Sequence, residues 1–129
     1  MRYGEMRVVS SMVPVKHMTS VEISDDFESI SRVFEQSGYS RVPVTCGGLQ
    51  RVVGVLYRVD FYRLRLAGGV DIRGILRPVF RCKPTDRISD LLKTMQSTRC
   101  HIAIVADGAR VVGLITVDDI LAELVGRIY

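Results

Sequence analysis

Apolar residues recur at helical spacing in three stretches of this chain, and short apolar runs suited to strands lie between them. Phe27, Ile30, Val33 and Phe34 share one helical face, with Ser24-Asp25-Asp26 placed to start that helix and Gly38 placed to stop it. Arg41–Thr45 then reads as a short strand, and Pro43 within it predicts an edge position, because proline has no N–H to offer a second neighbour. Residues 46–50 form a turn, Val52–Tyr57 a returning strand, and a second helix begins near Val59. The order then repeats. Thr85 stands where the first helix has its serine, and Ile88, Leu91, Leu92 and Met95 form the stripe of a third helix. Residues 100–105 and 111–116 predict two strands joined by a hairpin turn at Asp107-Gly108. Asp118-Asp119 opens a fourth helix, carried by Ile120, Leu121, Leu124 and Val125.

The two halves match in detail. Phe27, Ile30 and Phe34 lie 61 positions before Ile88, Leu91 and Met95, while Gly54 and Asp60 lie 59 before Gly113 and Asp119. The difference of two falls in turns, where length changes cost little. Gly68-Gly69 and residues 71–76 connect the halves. The fold class expected is therefore α+β, with two helix-strand-strand-helix repeats, residues 10–68 and 69–129, related by a pseudo-twofold axis. Half of 129 residues makes a poor core alone, and paired repeats leave related grooves between them.

Composition narrows the class without naming it. Apolar residues make up 47% and charged residues 25%, which suits a packed domain and excludes a disordered one. No apolar stretch approaches a membrane span, and the start lacks the apolar core of a secretion signal. Three cysteines without a close pair favour free thiols in a reducing compartment. The net charge of +4 is modest. Arginines are frequent between positions 58 and 87, but no aromatic stacking pattern accompanies them, so nucleic acid is not an expected partner.

The candidate chemistry lies at the strand-to-helix junctions. Thr116 ends a strand and Asp119 sits one turn on. Helix-start amides and a hydroxyl suit a phosphate, and the carboxylate suits the vicinal hydroxyls of a ribose. The same pair also suits a plain helix cap, and spacing alone leaves both readings open. In the first half Tyr57 replaces the threonine ahead of Asp60, which predicts a second, weaker site of different shape. Ser20 precedes the first helix, and Arg41 begins a strand with a guanidinium suited to phosphate. His101 reads as structural. No nucleophile has a base partner, the two histidines are too far apart to suggest a metal site, and there is no P-loop or dinucleotide fingerprint. No catalytic residue is expected.

Gly113-x-x-Thr116-x-x-Asp119, after a duplicated helix-strand-strand-helix unit, resembles the element of a tandem CBS domain pair, or Bateman module. Met12-Val13-Pro14, the run from Ser37 to Val44, Val53-Gly54-Val55-Leu56, the run from Gly113 to Leu121 and Val125-Gly126-Arg127-Ile128 resemble, in that order, the CBS pair of the CorC/hemolysin-C family. The resemblance covers about residues 10 to 129. It implies a cytoplasmic, non-catalytic regulatory module that binds an adenine nucleotide, AMP or ATP, with any magnesium carried by the nucleotide. It further implies a head-to-head homodimer and tethering to a transmembrane domain in a longer protein linked to magnesium and cobalt efflux, with the fragment boundary at Tyr129. Carried onto this chain, Thr116 and Asp119 hold phosphate and ribose, while Ser20 and the strand of Arg41, Val42 and Pro43 border the same groove. The alternative is a structural dimerisation module with no small ligand. The family's arginine after Met-x-Pro is Val15 here, followed by Lys16.

Overall fold

The computed structural model describes residues 6–128; the expected boundary at Tyr129 lies outside them. The chain divides into two compact units, one of Thr19–Val79, the other of the chain up to Met18 together with Phe80 onward.

The first unit runs β2 (Val21–Glu22), α1 (Phe27–Ser37), β3 (Arg41–Thr45), β4 (Val52–Tyr57) and α2 (Arg58–Leu66), after β1 (Val13–Pro14), which belongs to the other unit. Its sheet has the order β2-β3-β4, with β2 parallel to β3 and β4 antiparallel to it. Asp26 caps α1 by accepting the Ser29 N–H at 2.7 Å, and Gly38, at φ 71°, ends the helix in the left-handed conformation that suits glycine. The buried face of α1 sets Ile30 and Phe34 against Val42, Val44, Leu56 and Phe61. Each such fully buried side chain contributes about 1.5–3 kcal/mol of transfer free energy.

Pro43 corrects one expectation, because β3 is the central strand and not an edge. Two features make the missing N–H harmless. Val55, opposite Pro43, exchanges both its backbone bonds with Arg77 at 2.9 Å, so the Pro43–Val55 pair is not a hydrogen-bonded one. On its other side β3 meets only the short β2, paired with Val44 and Thr45.

The second unit contains β5 (Phe80–Cys82), α3 (Ile88–Thr98), β6 (Ile102–Asp107), β7 (Arg110–Thr116) and α4 (Val117–Ile128). Its sheet has the order β1-β7-β6-β5, so the N-terminal strand closes the sheet of the C-terminal half. Met6 and Val8 enter that unit's core beside Ile88, Met95, Ile115 and Ile120. The backbones of β1 and β7 approach so closely that a Cβ at Gly113 would lie 2.4 Å from the Val13 carbonyl oxygen. Both units thus show the βαββα order, and both carry a ladder irregularity at matching points, Val44/Thr45 and Val105/Ala106.

Two local expectations change here. Thr85 does not cap α3: its carbonyl accepts from Arg7 Nη1, and the Ile88 N–H at the helix start is taken instead by the Met6 carbonyl at 2.9 Å. The strand expected over 100–105 runs Ile102–Asp107, because Arg99 turns left-handed and the His101 carbonyl accepts the Val117 N–H.

Candidate functional site

At the end of β7 the chain turns directly into α4, and the first N–H groups of a helix have no partner within it. Here two such groups are satisfied reciprocally. The Asp119 N–H donates to Thr116 Oγ1 at 3.0 Å, and the Thr116 N–H donates to Asp119 Oδ2 at 3.0 Å. This is a capping box, with aspartate where glutamate or glutamine is usual. Cap and ligand grip are nevertheless compatible. The hydroxyl accepts one bond and keeps its own proton to donate, while the carboxylate uses Oδ2 and keeps Oδ1 as an acceptor. Both residues are half-buried. The cap therefore fixes two side chains that retain one donor and one acceptor, a set that fits a phosphate oxygen and a sugar hydroxyl.

The matching junction of the first unit is built differently. Tyr57 makes no side-chain cap to α2. Asp60 Oδ2 accepts instead from Arg77 Nε at 3.1 Å, and the Arg77 guanidinium lies 3.9 Å from the centre of the Tyr57 ring. The hydrogen bond that Arg77 donates to Asp60 raises the pKa of Arg77 above its ordinary value, against an opposing effect of desolvation. A second guanidinium, that of Arg41, lies 5.1 Å from the same ring, and its Nε is buried without a hydrogen-bond partner among the described residues.

Thr116 and Asp119 belong to one unit, whereas Ser20, Arg41, Val42, Pro43, Tyr57 and Asp60 belong to the other. The structure brings Thr116 to Asp119 and Arg41 to Tyr57, and it joins Tyr57 to Asp60 through Arg77. Ser20 is half-buried just ahead of β2. Val42 is fully buried in the core, so it offers a ligand backbone and not side chain. A separate cavity of about 230 Å³, lined by Phe80, Arg81, Asp86, Arg87 and Asp90 among others, contains none of these residues. No group of three or more metal-ligating side chains occurs among the described residues.

Arg77 was not anticipated. Its signal lay in a third correspondence between the halves, Met12-Val13-Pro14-Val15 against Leu76-Arg77-Pro78-Val79, where leucine replaces methionine at the first place and arginine replaces valine at the second.

The duplicated unit and its capped junction define a class. A model of the CBS domain matches residues 9–67 and 70–126, and the chain belongs to the CBS domain family as a tandem pair. The magnesium and cobalt efflux protein CorC of Vibrio cholerae is 32% identical over 133 residues, which cover 99% of this chain and 45% of that protein. A solved CBS domain of the bacterial CNNM/CorC family Mg2+ transporter in complex with ATP gives a TM-score of 0.87 at 29% identity, covering 96% of this chain and 90% of that one. A CBS-domain pair with bound AMP from Klebsiella pneumoniae gives 0.79 at 25%, covering 94% and 99%. The chain spans less than half the length of the first curated relatives it matches, 31%, 45% and 44%.

Proposed function

We propose that this chain is the adenine-nucleotide-binding regulatory module of a membrane ion-transport protein of the CorC/hemolysin-C kind, and that it binds without turnover. The observation that carries this reading is the Thr116–Asp119 pair, fixed by mutual hydrogen bonds with one donor and one acceptor still available. In the proposed mode the Thr116 hydroxyl donates to a phosphate oxygen and Asp119 Oδ1 accepts from the ribose. Asp118 and Asp119 both place negative charge in the first turn of α4, which opposes the attraction of a helix start for phosphate. Magnesium carried on ATP reduces that repulsion and requires no protein cage. Two similar solved structures, with ATP and with AMP, support the choice of ligand class.

The same reading places the module on the cytoplasmic side as a homodimer, tethered to a membrane domain. No helix among the described residues is long and apolar enough to cross a membrane, and the curated relatives are more than twice as long as the matched region. Regulation follows if nucleotide prefers one of two arrangements of the module. A tenfold preference corresponds to about 1.4 kcal/mol.

Calorimetry with AMP, ADP and ATP, each with and without magnesium, tests the proposal. Saturable binding is expected, weakened at least tenfold by Asp119→Asn, which keeps an oxygen for the cap and removes the second carboxylate acceptor. Arg41→Ala tests whether the Arg41 guanidinium contributes to the affinity. The second reading, a dimerisation module without a ligand, is favoured by the exposed apolar residues Val59 and Leu66 on α2 and Leu121 and Val125 on α4. A stable dimer that gives no heat with any nucleotide selects it.

A further inference from the structure

The two units differ in what stands beside the repeated aspartate. In one, Val55 pairs with Arg77; in the other, Leu114, 59 positions later, pairs with Val13. The glycines that precede these partners agree. A Cβ at Gly54 would meet Leu76 and the Arg77 carbonyl, and a Cβ at Gly113 would meet Met12 and the Val13 carbonyl. Arg77 and Val13 therefore occupy equivalent places.

We infer that Arg77 fills the first repeat's nucleotide position from within, so that the chain holds one nucleotide and not two; the inference rests on the nucleotide reading above. The chemistry matches group for group. The Arg77 Nε–H takes the Asp60 carboxylate, the group whose counterpart Asp119 is assigned to a ribose hydroxyl. The planar guanidinium lies over the Tyr57 ring, the surface on which a base would stack. A nucleotide entering there must break a charge-assisted hydrogen bond and a cation–π contact. The Val13 side chain has no donor for Asp119, and Asp119 forms no ion pair among the described residues. One junction is thus closed by its own side chain while the other stays available.

Calorimetric stoichiometry with magnesium-loaded ATP and with AMP decides the matter. The unaltered chain is expected to bind one nucleotide, and Arg77→Val, which gives the first repeat the residue of the second, is expected to bind two. The added event should vanish when Asp60→Asn is combined with Arg77→Val, and it should survive Asp119→Asn. One nucleotide per folded chain in both forms overturns the inference and leaves the nucleotide reading intact. Two in the unaltered chain, with one lost on Asp60→Asn, does the same. No binding by either form overturns both. Should Arg77→Val fail to fold, the unaltered chain still answers by NMR. The Arg77 Nε–H resonance is expected to hold its position at saturating ATP, and its displacement overturns the inference.

Discussion

Cys82 shows how a single residue of this fold is set by its surroundings. It is buried in β5, where desolvation, followed by the nearby Asp86 charge, pushes its thiol from an ordinary 9.0 up to about 12. The folded chain therefore keeps a proton that the unfolded chain releases. Its contribution to stability is complete below about pH 9 and declines as pH rises from about 9 toward about 12. Thermal midpoints across that window are expected to fall more steeply for the unaltered chain than for Cys82→Ala. At neutral pH a thiol reagent should label the half-buried Cys46 and Cys100 and spare Cys82 until unfolding. At this scale the sequence was informative where chemistry is local. Thr116 and Asp119 are three positions apart and meet through one helical turn. Arg77 escaped notice because it gains its role only when strand pairing sets it beside Val55, 22 positions earlier, and so within reach of Asp60.

Among the elements, the helices α1 and α3 make a controlled comparison. Both end in the left-handed conformation, α1 at Gly38 with φ 71° and α3 at Arg99 with φ 55°, 61 positions later. An L-residue held there costs about 1–2 kcal/mol, part of which glycine returns as greater freedom in the unfolded chain. Arg99→Gly is expected to stabilise the protein by about 0.5–1 kcal/mol, read as a higher urea midpoint at unchanged slope. Element positions were largely legible. Arg41–Thr45 and Val52–Tyr57 appear with the bounds their apolar pattern gave. The misses have tertiary causes. Pro43 is tolerated in a central strand because Val55 turns its hydrogen bonds elsewhere, and α3 needs no side-chain cap because Met6 supplies a carbonyl.

At the scale of the whole molecule, the segment up to Met18 completes the C-terminal unit. Met6 and Val8 fill its core and β1 extends its sheet. A fragment of residues 80–129 is therefore expected to fold poorly alone and to gain helicity, by far-UV circular dichroism, when a peptide of residues 6–18 is added. A peptide carrying Val8→Asp should fail to restore it. This arrangement was not readable from the duplication, since each repeat's own pattern of helices and strands looks complete without a strand borrowed from far along the chain.

That borrowed strand also sets a direction for mechanical work. Val13 is bonded across to Leu114, two residues ahead of Thr116. A pull entering through the amino end would reach the threonine junction by peeling β1 from β7, before straining any residue of the Thr19–Val79 unit. Whatever tugs on that end would have its leverage on the far half of the sequence.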